Sequence, residues 1–144
     1  TNLDVTIQAQ ILELIKRIRD DTGMSVLLIT HNLGIVAHLC DRITVLYAGK
    51  AVEKASVEKG FEHLQHPYTK LLLKSIPKMD TNKIRLETIE GDPPNPIYLP
   101  NGCRFHPRCP EKITICKEID PELLEVSPEH WIACHLHQKE TKIV

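Results

Sequence analysis

Ser25-Val26-Leu27-Leu28-Ile29-Thr30, followed at once by His31, is a continuous apolar run rather than an alternating one. Runs of this kind belong to strands buried on both faces, as in parallel sheets, so the stretch predicts an α/β fold. Ahead of it Ile7, Ile11, Leu14, Ile15 and Ile18 recur at steps of three and four. That spacing is the apolar face of an amphipathic helix over 5–20, with Asp4 as its N-cap and Gly23 as its stop. Glu13 and Arg17 lie one turn apart on it, an exposed pair worth about 0.2–0.5 kcal/mol.

Behind the run, His31 falls at the C-terminal edge of the expected strand, where ligands of open α/β sheets bind. Asn32 is placed to cap a short helix over 33–39, and Arg42-Ile43-Thr44-Val45-Leu46-Tyr47 reads as a second strand. Ala48-Gly49-Lys50 is a turn from which 51–53 returns as a hairpin strand. Helix, strand, helix, strand over roughly fifty residues is half of an α/β domain, too little to cover both faces of a sheet. Two short helices are expected over 57–64 and 67–75, the second ended by Pro77. Residues 79–90 read as a polar linker or edge strand, and Asp92-Pro93-Pro94-Asn95-Pro96 as a rigid extended segment. One helical turn is expected at 121–124 and a loose tail at 139–144.

The composition is that of an ordinary globular chain, with 42% hydrophobic and 26% charged residues. A net charge of -1 leaves no basic footprint for nucleic acid. No apolar run approaches the ~20 residues of a membrane-spanning helix. The chain opens in mid-pattern, without an initiator Met or an export leader, and is expected to be a piece of a longer protein.

Of the five cysteines, Cys40 stands alone in an apolar segment and reads as a small buried hydrophobe. Cys103, Cys109, Cys116 and Cys134 lie within 102–135, with Gly102 and Pro110 beside the first two. Glycine and proline hold turned loops, which is what several thiolates need to converge. Converging thiolates repel one another, so the set implies a metal centre or two disulfides, and without an export leader the metal reading is preferred. Structural zinc sites usually take cysteines in close pairs, and none here is so paired; the wider spacing and the Cys109-Pro110 step suit a [4Fe–4S] cluster, with zinc as the second choice. His106, His135 and His137 flank the cysteines as supporting or exposed groups, and Trp131 is expected to roof this region. For His66-Pro67-Tyr68 the plain reading is structural: Pro67 starts a helix and Tyr68 packs on it.

Three groups of residues together resemble a known family. Thr1-Asn2-Leu3-Asp4 looks like the D-loop, and Leu28-Ile29-Thr30-His31 like the switch-histidine strand, of an ABC-transporter ATPase domain. His66-Pro67-Tyr68-Thr69-Lys70 looks like the marker of the oligopeptide/dipeptide subfamily. The segment Gly102-Cys103-Arg104-Phe105-His106-Pro107-Arg108-Cys109-Pro110, with Ala133-Cys134-His135-Leu136, resembles that subfamily's C-terminal extension. Asn2 and Asn32 depart from the family pattern. The Gly-rich phosphate loop, the acidic strand and the signature sequence do not occur in these 144 residues.

The resemblance implies residues 1–54 as the later part of an ABC ATPase core, 55–80 as a helical connector, and 81–144 as a small irregular cysteine-rich domain. It implies His31 as the catalytic switch residue at the γ-phosphate, with Asp4 and His31 at the nucleotide, and ATP and Mg as cofactors of the parent subunit. It agrees with Cys103, Cys109, Cys116 and Cys134 as ligands of a [4Fe–4S] cluster. The expected partners are a second ATPase subunit, membrane permease subunits and, indirectly, a peptide-binding protein, at the cytoplasmic face of the membrane. Self-association of the chain is expected too. The alternative from another class is an independent cysteine-ligated metal or redox module unrelated to transport.

Overall fold

A computed structural model describes residues 4–58, 61–75 and 88–138. The expectations that fall on 1–3, 76–87 and 139–144, including the first three D-loop positions, Pro77, most of the polar linker and the tail, lie outside the described residues. The chain divides into two compact units, Thr1–Asp41 and Arg42–Val144.

In the first unit, helix α1 runs over Val5–Thr22. Asp4 caps it, its carboxylate accepting the Thr6 N–H at 2.8 Å, and this bond holds the Asp4 carboxyl below the usual range. Gly23 closes the helix in the left-handed conformation (φ 68), which costs glycine nothing because it has no Cβ. Glu13 and Arg17 approach to 4.0 Å in the open. Helix α2, Leu33–Leu39, starts at Asn32, whose side chain accepts from the Gly34 and Ile35 N–H groups. Arg19 of α1 donates to the carbonyl of Leu39 at 3.1 Å, and Val36 and Leu39 are buried.

The expected strand at 25–30 does not form. Leu27 and Ile29 are 89% and 90% exposed, and the segment carries no ladder. A strand buried on both faces needs a neighbour at its edges and a layer on each side, and among the described residues this unit supplies two helices and no second strand. The apolar face of α1 is open as well: Ile7, Ile11, Leu14 and Ile18 are all exposed. Cys40, expected buried, is half-buried at the end of α2, and its thiol is pushed up by that burial and by Asp41.

The second unit holds an antiparallel four-stranded sheet in the order β1-β2-β4-β3. Strands β1 (Arg42–Tyr47) and β2 (Lys50–Ser56) form the expected hairpin. Ala48 and Gly49 both have positive φ (47 and 79), the two-residue turn whose twist suits a hairpin. Along β1 the alternation is strict, with Ile43, Val45 and Tyr47 turned into the core. Strand β4 (His130–Ile132) pairs with β2 through Glu53↔Ile132, Lys54↔Trp131 and Ala55↔His130, and β3 (Leu124–Ser127) pairs with β4 at the edge. Residues 42–56 and 124–132 therefore share one sheet.

Helix α3, Pro67–Lys74, has Pro at its first position, where a missing N–H costs nothing, and His66 as its cap. Among the described residues of the segment 57–64, expected helical, there is a 3-10 turn at Phe61–His63 and no α-helix; 59 and 60 lie outside the described residues. At 121–124 no helical turn forms; Leu124 instead opens β3. Trp131 does not roof the cysteines but lies on the sheet, with the Lys54 ammonium 4.5 Å from its ring centre. The core centres on Phe105 (1% exposed), whose ring meets Tyr47 at 5.1 Å and Tyr68 at 5.3 Å, edge-on or tilted as aromatic quadrupoles prefer.

Candidate cysteine centre

Each of the four clustered cysteines is delivered by a different local device. Gly102 (φ 65) precedes Cys103, and a Cβ there would stand 2.5 Å from the Cys116 carbonyl, so the loop closes only with glycine. That closure lets the Cys103 N–H donate to the same carbonyl at 2.9 Å. Cys109 follows a 3-10 turn at His106–Arg108, and Cys116 lies inside another at Thr114–Lys117. Cys134 comes two residues after β4 ends. The two arginines of the loop fasten it to the rest of the unit. Arg104 donates to the Ala48 carbonyl in the hairpin turn at 2.6 Å, and Arg108 to the carbonyls of Ile89 and Glu90 and to the Tyr47 hydroxyl.

All four cysteines line one small cavity, together with His66, Pro67, Phe105, His106 and His135. The four thiols are free, so the disulfide alternative is not realised. Burial pushes the thiols of Cys103 and Cys109 up, and that of Cys134 up to about 11, with the neighbouring cysteines adding to each shift. Backbone amides oppose this: Phe105 and His106 hydrogen-bond Cys103, Glu111 bonds Cys109, and Leu136 bonds Cys134. In each case an amide two residues on faces the sulfur, the arrangement that stabilises a thiolate. The cavity itself is about 10 Å³, room for roughly one water-sized body. Among the described residues no group of three or more His, Cys, Asp or Glu stands in a ready metal-binding arrangement.

His106 and His135 do flank the cavity. The His106 ring is hydrogen-bonded to the Cys103 carbonyl (2.9 Å) and the His135 ring to that of Ile119 (2.8 Å). His66 is 1% exposed; its Nδ1 accepts the Tyr68 N–H at 3.1 Å. Burial lowers its pKa to about 4, Glu53 partly offsets this, and His137 adds to the lowering, so the ring is neutral at neutral pH. Asp4 and His31 belong to the other unit. Asp4 heads α1, and His31 is exposed just before the cap of α2.

A buried polar group not anticipated from sequence lies behind the cavity. Glu53, fully buried on β2, accepts from the backbone N–H groups of Gln65 (2.6 Å) and His66 (3.2 Å) and is bonded to His130 Nε2 (2.7 Å). A glutamate beside Val52 in the middle of a hairpin strand was the one available signal; its histidine partner lies 77 residues away.

Residues 52–116 match the family described as "Oligopeptide/dipeptide transporter, C-terminal region". The chain is 46% identical over 142 residues to the dipeptide transport ATP-binding protein DppD of Bacillus subtilis, covering 99% of this chain and 42% of that protein. It is 46% identical over 140 residues to the oligopeptide transport ATP-binding protein AppD of the same organism, covering 97% and 43%. With the oligopeptide transport ATP-binding protein OppD of Mycobacterium tuberculosis it shares 49% over 135 residues, covering 93% and 22%. The chain thus spans about two fifths of the length of the Bacillus relatives and about one fifth of the mycobacterial one. On most of β2, the His66-Pro67-Tyr68 cap and the cysteine loop as far as Cys116, which lie inside the matched region, and on an identity that runs along 99% of the chain, the chain belongs to the family of oligopeptide/dipeptide ABC-transporter ATP-binding proteins and carries its C-terminal region.

Proposed function

We propose that the chain is the C-terminal part of the ATP-binding subunit of an ABC importer that couples ATP hydrolysis to uptake of oligopeptides or dipeptides. The similarity that runs along 99% of the chain to a dipeptide transport ATP-binding protein carries this reading. In functional terms residues 1–54 serve the later part of the nucleotide-binding core, 55–80 the connector and 81–144 the cysteine-bearing extension. Within the whole subunit, which binds ATP and Mg, His31 donates a hydrogen bond to the γ-phosphate and Asp4 lies at the nucleotide interface. The subunit docks on membrane permease subunits at the cytoplasmic face, beside a second ATPase subunit, and a peptide-binding protein supplies the cargo. Among the described residues no helix is long and apolar enough to cross a membrane, which agrees with a docked position. The test is ATP-dependent uptake of a labelled dipeptide by vesicles holding the intact subunit with its permeases. His31→Ala in that subunit lowers kcat by on the order of tenfold to thousandfold, while ATP binding survives. Uptake without ATP dependence overturns the reading.

The four cysteines are proposed to hold a [4Fe–4S] cluster that staples a region poor in large apolar residues. Four free thiols on one cavity, three of them facing backbone amides, support this. Zinc is the second reading, favoured by the size of the cavity, about 10 Å³, which is nearer to a single ion than to a cluster. Anaerobic reconstitution with iron and sulfide yields a brown protein absorbing near ~400 nm if the cluster is right. A colourless protein that retains one zinc keeps the ligands and overturns the cluster.

A further inference from the structure

Glu53 has no exposed surface, yet it carries a carboxylate into the core. Its Oε1 accepts from the Gln65 N–H and is bonded to His130 Nε2; its Oε2 accepts from the His66 N–H. An ionised carboxylate only accepts, so His130 Nε2 carries the proton of that bond. The partners belong to two segments, distant in sequence, that each contribute to the lining of the cysteine cavity. Gln65 and His66 lead straight into Pro67, and the His66–Pro67 step is one wall. His130 opens β4, which runs through Ile132 and Ala133 into Cys134 on another. The Ala133 N–H donates to the carbonyl of Val52 at 2.9 Å, one residue from Glu53, so the same short piece of β2 fixes both ends of this connection.

We infer that Glu53 is a positioning residue for the cysteine cavity, holding the His66–Pro67 wall and the strand that leads to Cys134 at a fixed separation so that Cys134 faces the other three sulfurs. This deepens the metal-centre reading above and rests on it. Apolar contacts could join the two walls, but they are non-directional and tolerate sliding. A buried carboxylate does not: any displacement strips a hydrogen bond from a charge that water cannot reach. Glu53→Gln keeps the shape, but the amide has a single acceptor oxygen. Whichever way it turns, its NH2 opposes at least one of the N–H groups that the carboxylate accepts. His130→Gln retains a donor near the Nε2 position, whereas His130→Ala removes it.

The test uses the whole chain, prepared anaerobically and titrated with Co2+ alone, whose visible and sulfur-to-metal bands report how many thiolates bind. Circular dichroism and thermal melts establish that each variant is folded. Cys134→Ser supplies the three-thiolate reference spectrum. Glu53→Gln and His130→Ala are expected to move toward that reference and to bind Co2+ at least about tenfold more weakly, with His130→Gln restoring the wild-type spectrum. A Glu53→Gln variant with wild-type spectrum and affinity overturns the inference; if that variant does not fold, the His130→Ala and His130→Gln pair decides by the same criterion. If the wild-type chain binds no Co2+, the single-ion reading falls, and the positioning role is read from iodoacetamide labelling of the metal-free thiols. Cys134 is then expected to label several-fold faster in Glu53→Gln than in wild type while Cys40 does not change, and equal rates at Cys134 overturn it.

Discussion

His66 shows how one ring can serve an element and a site together. It caps α3 through Nδ1 and walls the cysteine cavity, and both tasks are done by the neutral form. Its folded pKa of about 4 lies below the unfolded value of 6.5, so protonation favours unfolding. The stability tied to the neutral ring is fully present above pH ~6.5 and is lost as pH falls toward about 4, up to roughly 3 kcal/mol in all. Urea unfolding of the metal-free chain across this window is expected to show the loss. In His66→Asn, whose side-chain oxygen can still cap Tyr68, the slope over the same window is expected to flatten. A variant with the wild-type slope would assign the acid sensitivity to other groups. The His66-Pro67-Tyr68 motif was legible as a helix start, because a proline at the first position states it. The depth of burial was not legible, since Phe105 and Glu53, which enclose and anchor this histidine, are distant in sequence.

At the scale of elements, the features that declared themselves locally were read correctly. Both caps of α1, the Asn32 cap of α2 and the β1–β2 hairpin depend on residues within a few positions of one another. The 25–30 run failed for the opposite reason: an apolar run states what a segment would bury, and nothing about whether a neighbour is present to bury it. Strands β3 and β4 were missed because they are four and three residues long, and because β4, on which β3 pairs, is itself fixed by pairing with β2, far away in sequence. The open faces carry a consequence of their own. Ile7, Ile11, Leu14 and Ile18 form one exposed stripe on α1, and exposed apolar stripes recruit other chains. The isolated chain is expected to be dimeric or larger by light scattering, and Ile11→Glu with Leu14→Glu to shift it toward monomer. A wild-type chain that is monomeric at ~100 μM, a concentration at which an association of ordinary strength shows, removes this expectation.

For the molecule as a whole, the two units have different dependence on what surrounds them. The first has a sparse core, Val36 and Leu39 being its buried apolar side chains among the described residues. The second is organised about Phe105 and Ile132 and the buried carboxylate. Because the phosphate-binding loop is absent from the 144 residues, the chain by itself is expected not to bind Mg-ATP tightly. Titration calorimetry checks this, and a micromolar affinity would reverse it. The sheet has a further consequence. One of its hairpins comes from 42–56 and the other from 124–132, and they are joined side by side through the Glu53↔Ile132 register. A cut anywhere between residues 75 and 88 would leave each hairpin with a different half of the core: β1, β2 and α3 on one piece, the four thiols with β3 and β4 on the other. The second unit is in this sense a heterodimer written in one chain. The peptides 42–75 and 88–138, made separately and mixed, should find each other as two subunits do, with concentration taking the place of the connecting chain.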